Sequence, residues 1–228
     1  MLNSPSSLPV ANQSSVAIGI AGSCVTGDTA QKHVALIYRD DGQMPKLLHL
    51  GWHRCLRHEP WDGNYHWIEM SALDIEVQET FADWAVIVAN AEKESRIPYS
   101  IVFSPGKNFD LNGQYIDRKD GSGLTCATFL LALFSDFKLP LVQTDTWPHS
   151  RPGDFRWLRK ILKSLRGYFE KYMPSELHHF LEQFRRRHAL KRYRPEEVFA
   201  CAGLYSGTPL SFNTVDPIAR QLLAKIPS

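Results

Sequence analysis

Two stretches decide the fold: HVALIY at 33–38, answered across Asp41-Gly42 by LLHLGW at 47–52, and GSGLTCATFLLALF at 121–134. The first is a short apolar, β-branched run, which reads as a buried strand. Asp-Gly is a strong hairpin turn signal, so the second run reads as its antiparallel return. YHWIEM at 65–70 predicts a third strand, and VAIGIAGSCVTG at 16–27 opens apolar and ends in a glycine-rich turn. A helix is expected over 74–95, with Ile75, Val77, Phe81, Trp84, Ala85 and Val88 apolar, ending at Lys93, Arg96 and Pro98. YSIVF at 99–103 predicts a further strand closed by Pro105-Gly106, and 106–123 reads as polar loop. Residues 124–137 form a helix that is apolar nearly all round, so it must be buried. The class is α+β, an antiparallel sheet packed on a buried helix.

Past Pro148 the character changes. DFRWLRKILKSLRGYFEKY at 154–172 sets Trp157, Ile161, Leu162, Leu165 and Phe169 near one face, with basic residues around the other. Ser175 caps a second helix running to about His188, and further helical segments start at Pro195 and Asp216. From Arg151 to Arg194 there are 13 Lys/Arg against 4 Asp/Glu, which leaves 13 basic and 20 acidic residues elsewhere, although net charge is only +2. The expected organisation is a flexible tail over 1–15, a catalytic core over 16–148 and a basic helical extension over 149–228. No internal repeat is present.

The 228 residues, 43% hydrophobic and 22% charged, exclude a mostly disordered chain. No apolar run approaches the roughly 20 residues of a membrane helix. Residues 1–15 carry no Lys or Arg, unlike the start of a secretory signal. Cys24, Cys55, Cys126 and Cys201 are widely scattered, the pattern of a reduced, cytoplasmic protein rather than a disulfide framework.

Cys126 carries the chemistry. It falls in the first turn of a buried helix, just after a glycine-rich loop. Unpaired backbone donors make that end of a helix positive, which favours thiolate, the nucleophilic form. Amides there are also suited to hold an oxyanion. A thiol still needs a base, and His33, opening its strand, supplies one. His49, on the return strand, is the candidate to hold the His33 ring in its useful tautomer, with Glu69 on the next strand as the alternative. The other reading of Cys126 is a small buried hydrophobe. Cys24 lies only nine residues before His33, too few for a helix followed by a strand, and Cys55 and Cys201 have no distinctive setting.

With these residues in view, His33-Val-Ala-Leu-Ile-Tyr38, Asp41-Gly42 and Leu47-Leu-His49 resemble the corresponding pattern of lecithin–retinol acyltransferase-like proteins. Those are circularly permuted members of the papain-like cysteine hydrolase superfamily. YSIVF and the later Cys126-Ala-Thr-Phe129 are similar to the second half of that pattern, so the resemblance spans roughly His33 to Phe134. It implies a permuted papain-like core with Cys126 as nucleophile, His33 as base and His49 as orienting residue. The activity implied is hydrolysis or acyl transfer on an amide, isopeptide, thioester or ester, without a cofactor. The chain departs from that pattern at Thr125 and Ala127-Thr128 and in the long insertion over 107–123.

Two rival readings follow from other residues. His49, His53, Cys55 and His58 are all zinc-ligating types within ten residues, although His-x-x-x-His-x-Cys-x-x-His is not a zinc spacing. A binding module is the other. Arg185, Arg186, Arg187, Lys191, Arg192 and Arg194 form a cluster expected to be exposed. With Trp157, Tyr168, Phe169, Tyr172 and Tyr193 interleaved, such a surface suits nucleic acid, anionic lipid or an acidic partner. Gly121-Ser122-Gly123 lacks the outer glycine of a serine-hydrolase elbow, and Gly19–Gly27 lacks the Gly-Lys-Ser/Thr of a phosphate loop.

Overall fold

A computed structural model describes residues 2–4, 7, 16–22, 31–39, 44–187 and 191–226. Among them are five strands and six α-helices: β1 (Val16–Gly22), β2 (Lys32–Tyr38), β3 (Lys46–Trp52), β4 (Cys55–Pro60), β5 (His66–Glu69), α1 (Ile75–Ala91), α2 (Cys126–Asp136), α3 (Asp154–Tyr172), α4 (Leu177–Arg186), α5 (Pro195–Leu204) and α6 (Phe212–Leu223). The strands form one antiparallel sheet, ordered β4-β3-β2-β1-β5. Cys24 and the expected Asp41-Gly42 turn lie outside the described residues.

β2 is buried throughout, and apolar from Val34 to Ile37, because both of its faces are covered. Val34, Leu36 and Tyr38 join Leu48 and Leu50 of β3 against the helices, in the main core. Ala35 and Ile37 join Leu47, Tyr65 and Trp67 in a smaller cluster on the other face. The helix face also receives the C-terminal segments. Val198, Phe199, Ala200, Cys201 and Ala202 of α5 are buried in the main core, and α5 lies against β1, β2 and β5. The helices past residue 148 therefore share one core with the sheet. The first residues are not wholly loose either: Asn3 exchanges backbone bonds of 2.9 and 3.3 Å with Trp67 on the outer edge of β5. No helix among the described residues is long and apolar enough to cross a membrane.

The segment YSIVF does not become a strand of this sheet. It makes one parallel bridge, Tyr99 to Leu124, and several of its other backbone groups find side chains. The Ile101 N–H donates to Gln183 Oε1 at 3.1 Å, and Gln183 Nε2 donates to the Tyr99 carbonyl at 3.1 Å. Gln183 is fully buried on α4, so it supplies the bonds that a neighbouring strand would otherwise make.

That bridge delivers the chain to α2. Leu124 N–H bonds to the Pro98 carbonyl at 2.9 Å, and Gly123 N–H to Val102 at 3.1 Å. A Cβ on Gly123 would lie 2.3 Å from the Pro98 oxygen and 2.8 Å from Ser100 Cβ. Gly123→Ala is therefore expected to cost about 1–3 kcal/mol through overpacking, read as a lower denaturation midpoint. An unchanged midpoint would show that this approach is dispensable.

Candidate active site

Cys126 is the first residue of α2. Thr125 caps the helix: its Oγ1 accepts the Thr128 N–H at 3.2 Å, while Thr128 Oγ1 accepts the Thr125 N–H at 2.7 Å. This reciprocal arrangement fixes the angle at which the chain enters the helix. The Cys126 thiol is buried, with the backbone N–H groups of Val34 and Ala127 beside it. Val34 follows His33 directly in β2, so the thiol rests against the strand that carries the expected base.

His33 and His49 come together as expected. His33 Nε2 lies 2.8 Å from His49 Nδ1, with ring centroids 4.7 Å apart. His49 Nε2 lies 3.0 Å from Glu59 Oε1. Sheet register explains the grouping. His49 sits opposite Arg57 and Leu47 opposite Glu59, so Glu59 is the diagonal neighbour of His49 on the same face. Glu69 does not take part. It pairs with Ala17 while His33 pairs with Ala21, about 13 Å apart along β1 at strand rise. The carboxylate that bonds His49 is Glu59, which sequence reading missed because β4 was not recognised as a strand.

The chain of bonds sets the tautomers. The Glu59 oxygen accepts, so His49 Nε2–H donates. His49 Nδ1 is then an acceptor, and His33 Nε2–H donates to it. This leaves the lone pair of His33 on Nδ1, the arrangement a general base needs. Burial keeps the rings neutral. It pushes His33 down to about 3, reinforced by the adjoining His49 and Arg57. His49 is also lowered by burial, which outweighs the opposing pull of Glu59.

Burial pushes the Cys126 thiol up to about 11, against its backbone donors and the Arg192 guanidinium. The resting site thus holds a neutral thiol and a neutral imidazole, not the ionised pair expected from the helix terminus alone. Desolvation here outweighs the helix field. No hydrogen bond joins the Cys126 sulfur to either ring. Strand alternation sends the His33 side chain to the face of Ala35 and Ile37, whereas the sulfur meets β2 from the helix side at Val34.

The rings border a cavity of about 320 Å³ that also holds Cys55, Arg57, Glu59 and Tyr65. Arg57 lies beside the Cys55 thiol. Gly51 lies between β2 and β4 at this level and leaves the space open.

The four residues of the zinc reading diverge. His49 belongs to the chain just described. His53 takes the Tyr99 N–H on Nδ1 at 3.3 Å and meets Glu176 through Nε2 at 3.2 Å. Cys55 meets Arg57, and His58 lies 2.6 Å from the Tyr38 hydroxyl. Among the described residues, no group of three or more His, Cys, Asp or Glu is arranged to hold a metal ion.

The basic cluster is also partly inward. Arg192 and Arg194 both reach the buried Asp154, at 3.1 and 2.9 Å, and Lys191 Nζ donates to the Thr144 carbonyl at 2.9 Å. Arg185 and Arg186 are exposed, pairing with Glu182 and Asp120. Arg187 lies over the Phe184 ring.

No known family, curated protein or solved structure matches this chain.

His53, like His33, is lowered by burial, to about 4. Between pH 6.5 and about 3 the unfolded chain binds protons that the folded imidazoles refuse. Their stabilising contribution is complete above pH 6.5 and is lost as pH falls through that window. Stability is expected to drop by a few kcal/mol between pH 7 and pH 4, with His33→Gln flattening the dependence. Urea denaturation at the two pH values checks this, and equal midpoints for the wild type would refute it.

Proposed function

We propose that this protein is a cysteine-dependent hydrolase or acyl transferase with a permuted papain-like core, acting through a Cys126 acyl-enzyme. The observation that carries the reading is the His33–His49–Glu59 chain bordering a cavity, with an unprotonated nitrogen on His33; Cys126 packs against the other face of the same strand. Capping of α2 and the Val34 N–H at the sulfur add support.

Because thiol and imidazole begin neutral, proton transfer accompanies attack rather than preceding it. Ring and sulfur face opposite sides of β2 in this structure, so the step requires them to be brought to one side; His33 Nδ1 then takes the thiol proton as sulfur bonds to the substrate carbonyl carbon. The carbonyl oxygen gains the electron pair and is held by backbone N–H groups at the start of α2. The C–X bond then breaks, and the leaving amine, alcohol or thiol takes its proton from His33. Water, or an acceptor in a transferase, attacks the thioester with His33 again as base and frees Cys126. The bond cleaved is an amide, isopeptide, thioester or ester.

One observation favours a second nucleophile. Cys55 shares the cavity of the His33–His49 pair. Incubation with a p-nitrophenyl ester, followed by acid quench and peptide mass spectrometry, separates the readings. An acyl group on Cys126 supports the proposal, and one on Cys55 transfers the nucleophile's role while keeping the base. Absence of any cysteine acylation removes the enzymatic reading.

A further inference from the structure

Two hollows meet at the start of α3, away from the imidazole cavity. The inner one, about 240 Å³, is lined by Lys32, Arg156, Lys160, Arg192 and Glu196 beside Trp157. The outer one, an open groove of about 630 Å³, is lined by Arg156, Arg159, Lys160 and Lys163 beside Phe155. Gly153, Arg156 and Lys160 belong to both, so the two are continuous.

We infer that this continuous groove binds a linear ligand carrying two or more phosphoryl groups, with its inner end at Lys32 and Arg192 and its outer end along α3.

Charge supports the assignment. Among the described residues, six cations line the groove, with Glu196 as the acidic lining residue. Burial pushes the Glu196 carboxyl up, towards its neutral form. Asp154, which faces Arg192 from the first turn of α3, is shared with Arg151 and Arg194. Lys32 is only 7% exposed, a deeply placed cation on the helix side of β2. Arg192 is fixed over the Trp157 ring at 4.2 Å, and its Nε is buried with no hydrogen-bond partner.

The helix adds to the field. α3 is 19 residues long, its N-cap is Gly153, and no side chain caps it. Its positive end therefore opens on the groove where the two hollows join. Nothing lies within 4 Å of a Cβ built on Gly153, so the approach is open.

Shape selects the ligand class. Arg156 and Lys160, and Arg159 and Lys163, are i,i+4 neighbours on the outer face. From 156 to 163 the helix rises about 10 Å, which matches successive phosphoryl groups better than a single compact anion. Donors converge on the inner end from a strand, a helix end and a guanidinium, which suits tetrahedral oxygens better than a planar carboxylate. The two ring faces are already met by cations, Trp157 by Arg192 and Phe155 by Arg159, so binding here reads phosphates and not bases.

Isothermal titration of the full chain with tripolyphosphate at low salt tests this. Micromolar binding that falls steeply with salt is expected, and about tenfold weakening in the surface variant Arg156→Gln/Lys160→Gln. Arg185→Gln/Arg187→Gln, which removes as much charge elsewhere, should leave affinity within about twofold. Tighter binding of a nucleoside diphosphate than of inorganic diphosphate would make the source a nucleotide; the reverse order would make it an inorganic chain. No binding of tripolyphosphate, equal weakening by both variants, or tighter binding of an oligoglutamate would each overturn the assignment. Cysteine acylation does not enter this measurement, so it stands or falls apart from the proposed activity.

Discussion

Replacing His33 with Ala is expected to slow acylation of Cys126 by on the order of 10²–10⁴, and Cys126→Ala to abolish the adduct. With the thiol held at about 11 and the imidazole at about 3, almost no thiolate is present at neutral pH, so the reaction depends on a base acting during attack. Glu59→Gln tests the chain behind that base. The amide can present its NH₂ to His49 Nε2, which then accepts; His49 Nδ1–H would donate, and the lone pair of His33 would move from Nδ1 to Nε2. The expected loss approaches that of His33→Ala, while Glu59→Asp retains a carboxylate and recovers part of the rate. Acylation rates followed across pH, with thermal melts to establish folding, measure all four variants. A His33→Ala rate within about threefold of wild type would remove the imidazole from the mechanism. Direct alkylation should follow the same logic. Cys126 should react slowly with iodoacetamide below pH 7 and faster as pH rises, the opposite of what a preformed ion pair gives.

The same comparison marks what the amino-acid pattern could convey. β2, β3 and α2 were legible because burial on both faces demands unbroken apolar runs, and HVALIY, LLHLGW and CATFLLALF each provide one. The approach of His33 to His49 followed from pairing those two strands. Glu59 was not legible. Its strand, CLRHEP, is a polar edge with several exposed residues, and an edge strand carries no strong periodic signal. Only the register against β3 brings Glu59 beside His49. YSIVF misled for the opposite reason. Its composition suits a strand, but Gln183 on α4, more than eighty residues later, takes the backbone bonds that a neighbouring strand would have made. The ionisation of Cys126 was likewise a question of enclosure, which local sequence does not report. A helix terminus favours thiolate only where water or a cation offsets the loss of solvation.

Asp154→Ala is expected to destabilise the fold by about 3–5 kcal/mol. Asp154 is buried in the first turn of α3. Its carboxylate receives Arg151 Nε at 3.3 Å, Arg192 Nη1 at 3.1 Å and Arg194 Nη2 at 2.9 Å. Arg151 continues the network to Glu197 of α5, which also accepts the Trp147 indole N–H at 3.0 Å. These residues join the start of α3 to the segment entering α5, the helix that covers β1, β2 and β5. Removing Asp154 leaves three guanidinium groups close together with one carboxylate lost, and a buried charge stripped of its partner costs far more than the intact pair contributes. Asp154→Asn keeps the shape and some acceptor capacity, so its loss should be smaller than that of the alanine variant but still well above a surface ion pair's ~1 kcal/mol. Urea denaturation at pH 7 with a common m-value gives the comparison. A loss below about 1 kcal/mol for Asp154→Ala would mean that water reaches and screens the cluster, and Arg192 and Arg194 would then return to the surface role that their sequence context first suggested.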